Sequence, residues 1–389
     1  GHRVPQIDAA IQAQLAQVAH VTLLGMAHPT TVRLARKLVQ LTPSGLTKVF
    51  FSDNGATAVE VALKMALQYW RQRSDPRPNK TLYVAYGDAY HGDTLGGVSG
   101  GGVARFHAAF EPLLFEVRRL PAPQTYRLPP GVTAETACGH YLAQLDALLA
   151  AEHDRIAAVV IEPLVQCAAG IITHPPGYLR GVRELTRKHD VLLIADEVAV
   201  GLGRTGRMFA CDHEQVTPDF LCLAKGLTGG YLPLAATLTH DEIYQAFCGT
   251  FAESKTFYHG HTYGGNPLGA AAALATLELF ETEFPLAALE PKIARLAEHL
   301  QRIARHPLVG DVRQRGLIAG IELVRDKATR DPFPWQERRG WRVCERLLAR
   351  GIWLRPLGNV IVIFPPLAMS LAELDRICVE VERAIGEVC

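Results

Sequence analysis

Short, mostly apolar runs alternate with amphipathic stretches along roughly the first 280 positions. Residues 48–52 (KVFFS), 81–86 (TLYVAY), 158–161 (AVVI), 191–195 (VLLIA), 220–224 (FLCLA) and 234–238 (LAATL) have the length of strands. Their unbroken apolarity predicts strands buried on both faces, as in a parallel sheet. Residues 56–72, 176–189 and 267–280 carry the longer period of helices packed against such a sheet. The alternation predicts an α/β fold with a mostly parallel central sheet. Beyond residue 281 the pattern changes: helical stretches at 290–305 and 335–350 flank a strand pair over 310–324, and residues 359–364 (NVIVIF) form a further strand. The last helix opens on Ser370-Leu371-Ala372-Glu373, a capping box. This reads as a large domain over 1–280 and a smaller α+β C-terminal domain over 281–389. The Pro-rich stretch at 121–131 (PAPQTYRLPPG) reads as a surface loop.

Four strand ends carry candidate chemistry. At FFSDNGATAVE the chain turns through Asn54-Gly55 into a helix, and such a turn presents backbone N–H groups to an anion. An ordinary strand-to-helix turn capped by Thr57 is the plainer reading of the same residues. VLLIADE places Asp196 at the carboxyl end of a buried strand, where open α/β sheets put their ligands. A carboxylate there needs a positive partner, either an arginine or a protonated ring nitrogen. In YGDAYHGDT, Tyr90 and His91 follow a strand end, and Tyr90 either stacks on a flat ring or anchors the loop. In FLCLAKGLTGG, Lys225 stands between an apolar run and a glycine loop. A lysine buried there is a Schiff-base candidate, and a snorkelling surface lysine is the alternative. Phosphate turn, aromatic, carboxylate and lysine at four strand ends are the parts that pyridoxal phosphate chemistry uses.

The remaining chain narrows the partners. The 389 residues carry 40 Lys and Arg against 39 Asp and Glu, a net charge of +1, so no basic field for nucleic acid or an anionic membrane arises. No charge-free apolar run approaches membrane-spanning length. The eight cysteines are scattered without any C-x-x-C, which suggests reduced, core-filling thiols in the cytoplasm and no metal site. GLGRTG at 201–206 matches a dinucleotide fingerprint, but the short polar stretch ended by Pro218 is not the long helix that fingerprint requires.

Strand-Asp196-Glu197, GRTG (203–206) and AKGLTGG (224–230) resemble the class III, ω-type aminotransferases of fold type I. AVEVALKMALQYW (58–70), YHGDTLG (90–96), IEPLVQCAAGIITHPPGYL (161–179) and HGHTYGGNPLGAAAALA (259–275) extend the resemblance over essentially the whole chain. It implies a fold type I transferase using pyridoxal 5'-phosphate. Lys225 becomes the Schiff-base lysine, Asp196 the partner of the ring nitrogen, and Tyr90 the stacking aromatic with His91 beside it. Gly55 and Ala56 lie at the phosphate, with Thr57 supplying the hydroxyl that Ala56 lacks. His261 and Thr262 reach the phosphate of a neighbouring subunit's cofactor, implying an obligate homodimer with shared active sites. Gly260 touches substrate, Asp93 lies near the substrate's amino end, and Arg355 (LRPLG) holds the substrate carboxylate. The chain begins at GHR, just after the point where the family carries a tryptophan-containing segment, implying a missing leader. A nicotinamide dehydrogenase, another ω-aminotransferase substrate and a non-catalytic cofactor-binding protein are the competing readings.

Overall fold

The structure, a computed structural model, describes residues 2–388. The central sheet has seven strands: β1 (Leu46–Ser52), β2 (Leu82–Tyr86), β3 (Val117–Leu120), β4 (Ile156–Ile161), β5 (Leu192–Asp196), β6 (Phe220–Leu223) and β7 (Ala235–His240). Their order is β1-β7-β6-β5-β4-β2-β3. Neighbours from β6 to β3 run parallel, and only β7 runs against β1 and β6.

Period-two alternation feeds two cores from the same strands. Tyr83, Val160, Ile194, Phe220 and Cys222 face the helix Gly55–Gln72 through Ala58, Ala62, Ala66 and Trp70. Val84, Val159, Leu193 and Leu221 face the opposite layer, where Leu145, Leu179, Val182 and Ala270 pack. That is why these strands read as unbroken apolar runs. Among the elements outside that reading are one strand and one helix. Strand β3 is VRRL, a polar edge strand that lacks the apolar run. The helix Ala137–Glu152 buries only Ala137, Tyr141, Leu145 and Leu149, a row four residues apart that was the available signal.

The C-terminal residues build an antiparallel sheet from Val309–Arg315, Ile318–Asp326, Val360–Ile363 and Pro356–Leu357. Helices Glu290–Ile303, Arg339–Leu348 and Leu371–Val388 close over it around Leu296, Ile321, Val343 and Val381. The capping box is present: Glu373 accepts from Ser370 N and Oγ at 2.8 Å, and Ser370 Oγ accepts from Glu373 N at 3.2 Å. The GRTG turn joins this part to the central sheet. Arg204 lies over the Phe364 ring at 4.2 Å and donates to Pro365 O, while its own carbonyl accepts from Leu317 N at 3.0 Å. A short 3-10 turn, Ala210–His213, follows instead of a long helix, so this is no dinucleotide turn. Cys211, Cys222, Cys344 and Cys378 are buried, whereas Cys248 is exposed, so core filling accounts for some of the thiols and not for that one. Among the described residues no helix is long and apolar enough to cross a membrane.

Candidate active site

The carboxyl ends of β2, β4, β5 and β6 open on one rim of the sheet, and turns from the C-terminal part face them across a cleft of roughly 1420 Å³. Asp53, Gly55, Tyr90, Asp196, Lys225 and Arg355 all line it, from segments far apart in sequence.

Asp196 ends β5 and is 5% exposed. Its Oδ2 accepts from His91 Nδ1 at 2.8 Å and its Oδ1 from Val198 N at 3.0 Å, so both oxygens are fixed. Burial works against a charge on His91, but the bond to Asp196, its charge and that of Glu162 outweigh burial and raise the imidazole pKa. Glu162, just past β4, is buried beside this pair. Its two oxygens accept from Tyr90 N and Cys167 N, each at 3.0 Å. Burial first, then the neighbouring Asp196, push its carboxyl up to about 7 despite those bonds and His91.

Tyr90 is half-buried and its hydroxyl donates to Asp93 Oδ2 at 2.9 Å. Burial, then Asp93, push the phenol up to about 12, and the nearby Arg355 charge opposes them. Phe106 meets the Tyr90 ring edge-on at 6.4 Å between centroids. At the opposite rim the helix Gly55–Gln72 points its first turn into the cleft. Asn54 caps it, accepting from Thr57 N at 3.1 Å. The N–H groups of Gly55 and Ala56 have no acceptor inside their own helix and are directed outward. A Cβ on Gly55 would stand 2.5 Å from Val198, and one on Gly92, whose φ is +105°, would stand 2.3 Å from Ala56 Cβ. The two glycines let three strand ends close around one narrow cradle.

The family model described as Aminotransferase class-III matches residues 1–385. The chain is a class III aminotransferase. It is 52% identical over 389 residues to the adenosylmethionine-8-amino-7-oxononanoate aminotransferase of Geobacter sulfurreducens, covering 100% of this chain and 85% of that relative. With the Aquifex aeolicus protein of the same name it shares 48% identity, again over 100% and 85%. The crystal structure of the Methanocaldococcus jannaschii protein so named superposes with a TM-score of 0.94 at 45% identity, covering 100% of this chain and 86% of that one. A PLP-bound amine transaminase from an uncultivated Pseudomonas species gives 0.95 at 37% identity, covering 100% and 88%.

Pyridoxal 5'-phosphate is the cofactor of this aminotransferase, and the residues present fit it. The outward N–H groups of Gly55 and Ala56 suit a phosphate, the buried Asp196 suits a protonated ring nitrogen, and Lys225 offers a primary amine at the cleft. Two expectations, for Lys225 and Thr57, need correction. Lys225 is not buried: Ala224 leaves the strand, and Lys225, with φ +42°, swings its side chain out into the cleft. Thr57 does not turn a hydroxyl to the phosphate. It is buried, with its Oγ1 accepting from Asn54 N at 3.1 Å as the reciprocal half of the helix cap and donating to Asn54 O at 2.8 Å. The cap residue is therefore Asn54. Gly260, His261 and Thr262 do not line the cleft of their own chain. They lie on an exposed segment whose His261 Nδ1 bonds Asp53 Oδ2 at 2.6 Å. The sequence reading passed over Glu162, Phe106 and Trp353. The signal for Glu162 was a carboxylate directly after AVVI, the same pattern that exposed Asp196.

Proposed function

We propose that this aminotransferase converts 8-amino-7-oxononanoate (7-keto-8-aminopelargonate) to 7,8-diaminopelargonate, a step of biotin biosynthesis, with S-adenosylmethionine as amino donor. One observation carries the reading beyond the family. Arg355, exposed on the C-terminal wall, lines the cleft as Lys225 does, and its charge is felt at Tyr90, whose hydroxyl holds the Asp93 carboxylate. A substrate with a carboxylate at one end and an amine and ketone at the other matches that polarity.

When bound, pyridoxal phosphate supplies an electron sink and carries the amino group from donor to acceptor. Gly55 and Ala56 would hold its phosphate, Asp196 its ring nitrogen and Tyr90 its ring face. Asp196 is fit for this because His91 and Val198 hold it rigidly, so no reorganisation is needed as charge develops. Lys225 Nζ takes the proton from the donor's amine-bearing carbon and returns it on the product side. Its place at the mouth of a short 3-10 turn, Lys225–Thr228, gives the long side chain room to move between those two positions. The Arg355 guanidinium grips the carboxylate through a planar fork and sets the distance from that end to the ketone. Asp93, whose Oδ2 is already engaged by Tyr90, faces the substrate's free amine. The exposed Gly260–Thr262 segment supports a homodimer in which Gly260 meets substrate and His261 and Thr262 complete the partner's phosphate site. The scattered thiols support a cytoplasmic setting.

The test is to incubate PLP-loaded full chain with 8-amino-7-oxononanoate and either S-adenosylmethionine or lysine, and to quantify diaminopelargonate by mass spectrometry. Product with S-adenosylmethionine is expected. Product only with lysine would replace the donor. No product with either, alongside turnover of a simple arylalkylamine, would make the chain an ω-aminotransferase of another substrate class.

A further inference from the structure

The turn between Leu164 and Ile171 joins the cofactor cleft to the C-terminal sheet. Cys167, Ala168 and Ile171 line the cleft. The turn closes a two-residue hairpin, Val165–Gln166 with Ile172–Thr173. It is strained: Leu164 has φ +66° and Ile171 φ +57°, and both are buried. A branched side chain in the left-handed region persists only where surroundings impose it. Two groups do so. On the large-domain side Glu162 accepts from Cys167 N. On the other side Arg313, itself buried in the C-terminal sheet, donates from Nη2 to Gly170 O at 2.7 Å.

Arg313 is in turn fixed by its own sheet. Its Nη1 donates to Glu322 at 2.6 Å and to Asp311 at 3.0 Å. The Pro-rich excursion is drawn into the same cluster: Arg127 pairs with Glu322, and the Tyr126 ring lies 5.9 Å from the Arg313 guanidinium. Backbone contact is close as well. A Cβ on Gly170 would stand 3.1 Å from Val360 of the C-terminal sheet, and one on Gly320 would stand 3.0 Å from Ile171. The loop expected at 121–131 is therefore a strap whose Tyr126 and Arg127 reach the Arg313 cluster.

We propose that Arg313 is a positioning residue: by holding the Gly170 carbonyl it makes the wall of the cofactor cleft depend on the seating of the C-terminal sheet. Arg313 does not itself line the cleft. Loss of the bond releases the strained turn, so Ile171 and Ala168 relax away from the cleft and the cofactor is held less long. The inference rests on the cleft as a pyridoxal phosphate site, and its readout is cofactor retention, so it stands or falls separately from the keto acid assigned above.

The experiment measures release of pyridoxal phosphate from loaded protein, without substrate, by loss of its visible absorbance on dilution, in wild type, Arg313→Met, Arg313→Lys and Asp311→Asn. Arg313→Met should release cofactor about three- to ten-fold faster, the range expected of a coupling residue remote from the ligand. Arg313→Lys should fall between, because one ammonium reaches either Gly170 O or Glu322. Asp311→Asn, which leaves the Gly170 bond in place, should match wild type. The proposal is overturned if Arg313→Met or Arg313→Lys releases cofactor at the wild-type rate, even with a lowered unfolding midpoint, because that is a structural clasp only. It is equally overturned if Asp311→Asn accelerates release as much as Arg313→Met, because that is general loosening. Should Arg313→Met not fold, Arg313→Lys decides alone.

Discussion

Individual side chains at the cleft divide into those that meet ligands and those that hold them still. On the proposed reading Lys225 is of the first kind, and Lys225→Ala should remove the visible band of the bound cofactor and lower turnover by about 10³-fold, the loss expected for a positioned acid–base group; absorbance and single-turnover assays read both. Arg355→Ala should raise the KM of the keto acid about 10- to 100-fold, as loss of a charged hydrogen-bonded pair does, and leave its methyl ester nearly unaffected. Equal losses on acid and ester would take Arg355 out of the carboxylate role. Glu162 is of the second kind. Its ordinary value is 4.5, and burial raises it in the folded protein to about 7. Its contribution to stability is therefore fully present below about 4.5 and is lost as pH rises through about 7. Glu162→Gln should flatten the fall in stability between pH 5 and pH 8 by about 3 kcal/mol at most, a difference that urea titrations at the two pH values measure.

Elements matter through their ends. The helix Gly55–Gln72 is aimed at the cleft by its cap: Asn54→Ala should cost about 1 kcal/mol, seen as a lower unfolding midpoint, and weaken cofactor binding with it. Gly92 is stricter, because φ +105° and contact with Ala56 combine. Gly92→Ala should cost roughly 2–4 kcal/mol, with cofactor affinity falling in a direct titration. At the far ends of the strands Lys80 does related work without chemistry. It is buried and donates to His153 O and Asp190 O, each at 2.6 Å, tying together the starts of β2, β4 and β5. Burial lowers it to about 8, with Asp190 opposing. The strands could be read from sequence because double-sided burial writes an apolar run, as at β4 and β5. Edge strand β3 could not, since its side chains are partly solvated and its two arginines bond Glu152 and Ser99 O.

At the scale of the molecule, the cleft exists only between the strand ends and the C-terminal segments carrying Trp353, Arg355 and Phe364. If two chains share their sites, co-expressing Lys225→Ala with a His261→Ala/Thr262→Ala double variant should restore activity to about a quarter of wild type, since half the dimers hold one intact site. No recovery would assign each site to a single chain. The chain itself determined the α/β alternation, the strand ends that carry Asp196, Tyr90 and Lys225, and the family motifs, because burial periodicity and turn chemistry are local and a few residues suffice to record them. It could not show that Lys225 swings into open space, that Thr57 spends its hydroxyl on the helix cap, or that Glu162 bridges two loops. Nor could it show that Arg313, 143 positions away, holds Gly170. Those follow from which strand ends come to lie side by side, and that is settled only when the sheet closes, through desolvation and contacts between residues remote in sequence.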